Sequence, residues 1–205
     1  DWALRSVAIK PYPICHFNHA PVDCALTLRE QCSLSPDEIE SVTVLLHERQ
    51  FGVVVDPIES KRAPQGEYDA KFSAPYAVAT ALAAGRFGLA ELDDAARLDS
   101  DVLALAQRIH CEHDARSCYP DAFSGGVRIK TKDGQVLEHF EEINRGAAGR
   151  LLGAEQVYEK FMANCALTIS HERAEVLWES LQRMDELEDV TGLMGLLRTE
   201  TNKAS

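Results

Sequence analysis

What the sequence lacks narrows it first. Its six cysteines contain no CxxC pair and are too sparse for a disulfide framework, so they read as reduced thiols. No stretch approaches the roughly 20 apolar residues of a membrane-spanning helix. The opening "DWALRSVAIK" has neither a charged leader nor a cleavage site, which makes the cytoplasm the expected compartment. Positive charge is scarce: 21 Lys and Arg against 33 Asp and Glu leave a formal charge of -12. That balance disfavours nonspecific binding to nucleic acid or to an anionic membrane. Phosphate loop, nucleophile elbow and dinucleotide fingerprint are all missing, as are internal repeats and low-complexity tracts. A chain of 205 residues that begins without methionine, inside an amphipathic segment, is expected to be a piece of something longer.

What is present reads as an α+β protein. Pro11 and Pro13 hold Ile9 to Tyr12 extended, and Pro21 suits the first turn of a helix running to about Cys32, with Val22, Ala25, Leu26 and Leu28 facing inward. "SLSPDEIESVTVLLHE" predicts a short helical turn that leads into a buried strand. Residues 51–73 carry two prolines and two glycines and read as a long loop. "SAPYAVATALAAGRFG" predicts a buried helix ending at Gly85, and Leu98, Val102, Leu105 and Ile109 recur at helical spacing after it. "GGVRIKTKDGQVLEHFEE" is a hairpin turned through Asp133 and Gly134. Beyond it the pattern is helical: Val157, Phe161, Cys165 and Ala166 suit one helix, and Val176, Leu177, Leu181, Met184 and Leu187 another. The expected division is a small mixed two-layer domain over residues 1–148 and a helical tail over 149–205.

Three stretches carry residues suited to chemistry. In "IKPYPICHFNHAP" the proline-stiffened backbone either fixes the Lys10 ammonium as a carboxylate clamp or proton donor, or simply ends a strand with a lysine that reaches water. His16 and His19 precede the helix, where each is either an acid, base or anion donor or a partly buried structural residue. In "DAKFSAPY", Lys71 with the amides of the following helix suits an anion, and Tyr76 suits proton donation, unless the run is packing behind a serine cap. "HCEHDARSC" groups His110, Cys111, His113 and Cys118, but the spacing matches no standard zinc pattern, so no metal is expected.

Taken in order, "IKPYPICHFNHAPVDCALTL", "IESVTVLL", "DAKFSAPYAVATALAAGRFGLAELDD", "GVRIKTKDGQVL" and "EQVYEKF" resemble the C-terminal half of the MmgE/PrpD family over about residues 5–165. The resemblance implies a small α+β domain with a helical tail, the tail packing on a large N-terminal helical domain absent from this chain. It also implies a cleft between the two domains that uses no metal or organic cofactor. The family's reactions are dehydration of 2-methylcitrate, decarboxylation of cis-aconitate and epimerisation of iminodisuccinate, carried out by proteins that are commonly dimers. By motif, Lys10, His19 and Tyr76 are expected to act in catalysis and Lys71 and His16 to bind the substrate's carboxylates. "GRLLGAEQ" replaces the family's usual approach to its last motif, a departure that bears on substrate choice. The reading that follows is a cytoplasmic lyase, with a dehydratase ahead of a decarboxylase or epimerase. A non-catalytic interaction module and a metal-binding domain are the rivals from other classes.

Overall fold

The computed structural model describes residues 2–3 and 7–198; the amphipathic opening at residues 1 and 4–6 and the end of the tail at 199–205 lie outside the described residues. The chain divides into two compact units, Asp1–Leu151 and Leu152–Ser205.

The first unit is built on strands β1 (Ile39–Leu46), β2 (Ile109–His113), β3 (Gly125–Thr131) and β4 (Val136–Glu141). They form one mixed sheet in the order β2-β1-β3-β4, with β1 parallel to β2 and antiparallel to β3. Val42, Val44 and Leu46 alternate along β1 into the core, where they meet Val127, Ile129 and Ile109. A register shift between Ile39 and Ser41 lets Ile39 join the same buried cluster three residues before Val42. Helices α1 (His19–Gln31), α5 (Ala74–Ala84) and α7 (Ser100–Gln107) make the second layer: α1 lies over β3 and β4, and α5 packs against α1, α7, β1 and β2. The other sheet face is polar. Arg128 meets Glu138 at 2.7 Å and Lys130 meets Glu40 at 2.6 Å, exposed pairs that keep this face soluble and add little stability.

Small residues let the layers approach. Ala74, Ala77, Ala79 and Ala81 are fully buried along α5, the Ser73 hydroxyl accepts the Tyr76 N–H at its start, and Gly85 closes it in the left-handed region. A side chain on Gly125 would put its Cβ 2.8 Å from Pro21 in the first turn of α1, so the helix can sit on β3 only where β3 has glycine.

Several expectations need correction. Residues 51–73 are not a loop: they form α2 (Phe51–Val54), α3 (Ile58–Arg62) and α4 (Glu67–Lys71), kept to about one turn each by Pro57, Pro64 and Gly66. The helical spacing from Leu98 to Ile109 crosses a break. The helix α6 (Asp94–Arg97) ends before Leu98, which is exposed; Asp99 caps α7 anew; and Ile109 already belongs to β2. The first helix does hold Pro21 in its first turn, as expected, and continues a 3-10 turn at His16–Asn18. Residues 9–12 pair with no strand. Instead the Ile9 N–H donates to the Gly146 carbonyl at 3.0 Å.

The second unit contains α8 (Ala154–Cys165), α9 (His171–Gln182) and α10 (Thr191–Leu196), with α9 packed on both others. Trp178 sits between Tyr158 and Phe161, each with its ring centroid 5.2 Å away. Met184 falls in a 3-10 turn after α9 and Leu187 beyond it, so both leave the helix expected to hold them.

Gly146 ties the Lys10 segment to the fold. Its φ is +84°, and a Cβ there would lie 2.0 Å from the Ile9 carbonyl oxygen. Gly146→Ala should lower unfolding free energy by about 2–4 kcal/mol. Gly134→Ala, whose φ is also positive but whose Cβ meets open space, should cost about 1 kcal/mol. Urea denaturation of the two variants checks the contrast; equal losses would show that the contact with Ile9 is unimportant.

Candidate active site

The segment between Lys10 and Cys15 has no strand partner, so its backbone polar groups must be satisfied singly. The Cys15 N–H donates to the Lys71 carbonyl at 2.9 Å, which ties the segment to the end of α4. The Ile14 carbonyl accepts from the Lys10 ammonium at 3.0 Å and faces His19 Nε2 at 3.2 Å. A carbonyl can only accept, so His19 carries its proton on Nε2. One oxygen thus fixes both a cation and an imidazole.

Tyr12 holds the middle of the segment. Its hydroxyl donates to Asp23 Oδ1 at 2.5 Å and accepts from Arg145 Nη2 at 2.7 Å, while Arg145 Nε reaches the same carboxylate oxygen at 3.2 Å. Burial and the adjacent Asp23 carboxylate push the phenol's pKa far up, so Tyr12 stays protonated and acts as a fixed donor. Its ring meets His19 edge-on at 5.5 Å, and His19 in turn meets His16 at 4.7 Å. The connection between β2 and β3 covers the other side of His16: Phe123 lies 5.3 Å from it and 5.4 Å from Phe17.

His16 is half-buried and its Nε2 is buried without a hydrogen-bond partner among the described residues. Burial, then the Lys10 charge, lowers its pKa from the ordinary 6.5. At neutral pH it is therefore a neutral imidazole able to accept a proton. Burial raises the Cys15 pKa, and Lys10 and Lys61 pull against that rise.

Lys10, His16 and His19 therefore come together as the sequence suggests, but with different exposure: Lys10 is open, His16 half-buried and His19 fully buried. The other two candidates do not join them through their functional groups. The Lys71 ammonium is 2.5 Å from Glu67 on the surface of α4, and what Lys71 gives the cluster is its carbonyl. Tyr76 is completely buried and its hydroxyl donates to the Glu91 carbonyl at 2.6 Å, so it is a packing residue here. Four residues escaped the sequence reading. Asp23 had a weak signal as an acid among apolar neighbours in a helix; Tyr12, Arg145 and Lys61 had none.

An open groove of about 830 Å³ is lined by Tyr12, Asp23, Arg29, Glu30, Arg145 and Arg150, among others, and by neither Lys10 nor His16. Two of its three arginines are paired with carboxylates, Arg145 with Asp23 and Arg150 with Glu141, and the third, Arg29, donates to the Leu82 carbonyl with no imidazole beside it in the lining. The lysine–histidine cluster is therefore the better candidate for chemistry. Among the described residues, no three His, Cys, Asp or Glu side chains are grouped so as to hold a metal ion, and no helix is long and apolar enough to cross a membrane.

The segment thus sets one exposed cation and two imidazoles on a small α+β layer. The chain matches the MmgE/PrpD C-terminal domain across residues 12–186 and belongs to the MmgE/PrpD family. It is also similar to mouse cis-aconitate decarboxylase, 23% identical over 208 residues that cover 96% of this chain and 41% of that protein. The family thus includes an enzyme, and the chain spans about two fifths of the length of the curated relative it matches.

The lowered His16 pKa sets a direction for stability. Between the depressed folded value and the ordinary 6.5, the unfolded chain binds more protons, so stability falls as pH drops through that window. His16→Gln should flatten this part of the stability–pH curve. Urea midpoints from pH 7.5 to 5 would show it; an unchanged slope would mean that His16 titrates normally.

Proposed function

We propose that this chain is the C-terminal part of a cofactor-independent lyase acting on a small polycarboxylic acid. In this reading Lys10 and His16, backed by the buried His19, form one wall of a cleft completed by an N-terminal helical domain of the same protein, in an assembly that is a homodimer. The single observation that carries it is the family match, which begins inside the Lys10 segment and runs through the tail. The geometry of that segment supports it.

Elimination next to a carboxylate needs a cation to hold the carboxylate and a base to take the neighbouring proton. The exposed Lys10 ammonium, steered by the Ile14 carbonyl, suits the first task. The neutral His16 imidazole suits the second, with His19 behind it as a positioning residue. In a dehydration the C–H electron pair becomes the double bond while the C–O bond breaks, and the departing hydroxyl takes up a proton and leaves as water. Remaining acid and base groups belong to the other wall.

Dehydration of 2-methylcitrate or a close analogue is the leading reaction within this class. Decarboxylation is the second reading, favoured by the similarity to cis-aconitate decarboxylase. There the C–C bond to the leaving carboxylate breaks, CO2 departs, and the electron pair left on carbon is protonated. Both need the same cation clamp and the same proton-transfer group.

The test joins this chain to the N-terminal part of its parent protein and supplies 2-methylcitrate, citrate and cis-aconitate. Mass spectrometry distinguishes loss of water from loss of CO2. Activity is expected in the joined form only, and Lys10→Ala should lower turnover by about 100-fold or more. Unchanged kinetics would remove Lys10 from the site, and no turnover of any of the three would sink this substrate class.

A further inference from the structure

We infer that Lys10 and Lys61 form a two-ammonium subsite around Cys15 that takes one carboxylate of a small organic anion. The lyase reading supplies the identity of that anion, but the subsite itself stands on the geometry of these side chains.

Lys61 lies in α3, within the stretch that the sequence presents as a loop. Its ammonium donates to the carbonyls of Val53 and Phe72, both at 2.8 Å. The second bond places it one peptide from the Lys71 carbonyl that receives the Cys15 N–H. Lys10 is held one peptide to the other side of Cys15, on the Ile14 carbonyl at 3.0 Å. Both cations are thus anchored next to the two ends of the Cys15 peptide group's hydrogen bonding, and the charge of each acts on its thiol.

Neutral carbonyls anchor both ammonium groups, so neither charge is cancelled at its anchor. Each ammonium has three N–H donors; the anchors use two on Lys61 and one on Lys10, and the rest remain for an acceptor. Burial disfavours the Lys61 charge, and Asp69, Cys15 and Asp56 work in the opposite direction. A carboxylate arriving between the lysines would favour that charge further. A planar group with two oxygens suits two ammonium donors, and backbone carbonyls, of Ile14 for Lys10 and of Val53 and Phe72 for Lys61, hold them in place before the anion arrives.

Lys61 could instead serve only to stitch α2 and α3 to residue 72, and the test separates that role from anion binding. Cys15 is the reporter. The chain is alkylated with iodoacetate, an anion, and with iodoacetamide, its neutral counterpart, and each cysteine is followed by peptide mass spectrometry. The ratio of the two rates at one cysteine cancels its thiolate fraction and leaves the local preference for negative charge. Exposed Cys32 is the internal reference.

The ratio at Cys15 should exceed that at Cys32 by about threefold or more at low ionic strength, and should fall with added salt. Lys61→Met and Lys10→Met should each bring it down toward the Cys32 value, with circular dichroism confirming the fold. Equal ratios in the unmodified chain, a ratio unmoved by Lys61→Met in a folded variant, or a Cys15 that reacts with neither reagent would each overturn the subsite. Should Lys61→Met fail to fold, the unmodified chain and Lys10→Met still decide. A raised ratio that the lysines control, together with a joined protein that turns over none of the polycarboxylates, would leave the subsite standing and reject the lyase reading.

Discussion

The candidate site depends on the ion pair of buried Asp23 with half-buried Arg145, closed by the Tyr12 hydroxyl. It joins α1, the segment that carries Lys10, and the chain after β4 in one cluster, where the Ile9–Gly146 and His19–Ile14 hydrogen bonds join them only pairwise. Removing Arg145 leaves the buried Asp23 carboxylate uncompensated, at a cost smaller than for a fully buried pair because the groove admits water to one side. Gly146 follows Arg145 directly and receives the Ile9 N–H, while Cys15 is tied to Lys71. The segment is thus clamped at both ends and in the middle, although it belongs to no sheet. Its two prolines reduce both the donors to be satisfied and the freedom to be lost.

That arrangement explains which parts of the fold were legible in the sequence. β1, the hairpin of β3 and β4, and the buried α5 each carry their own evidence: alternation, an Asp-Gly turn, a serine cap and a terminal glycine. Residues 51–73 misled because helices of one turn have no periodicity to read, and Pro57 and Gly66 signal interruption equally well for a loop and for a helix start. The run from Leu98 to Ile109 misled for the opposite reason. Its spacing continues smoothly across the Asp99 cap, and only tertiary packing assigns Leu98 to solvent and Ile109 to a strand.

Within the site, the legible residues were those close together in sequence. Lys10, His16 and His19 fall within ten positions, and the prolines mark the stretch as special. Lys71 and Tyr76 sit in an equally suggestive motif, but that motif works through its backbone and its packing: the Lys71 carbonyl holds Cys15, and Tyr76 fills the core. Lys61 comes to the same place from 46 residues after Cys15, through α3, whose existence the composition conceals. A one-dimensional pattern does not contain that convergence.

An acidic chain can bind a polyanion only where cations keep their charge uncancelled. Several basic side chains among the described residues do not: Lys71 faces Glu67, Arg145 faces Asp23, Arg150 faces Glu141 and Arg128 faces Glu138. Each is an ion pair whose field fades within a few ångströms. A lysine anchored on a peptide carbonyl is different, because the carbonyl fixes its direction while leaving the full charge to act on whatever comes next. Arg29 and Arg62 are anchored on carbonyls too, but on separate elements, at Leu82 and Ile109. Lys10 and Lys61 instead share a neighbour, Cys15, and Lys10 also acts on the neutral imidazole of His16. Convergence of ammonium groups anchored on carbonyls, rather than the number of basic residues, makes this segment suited to carboxylates on a surface that otherwise repels them.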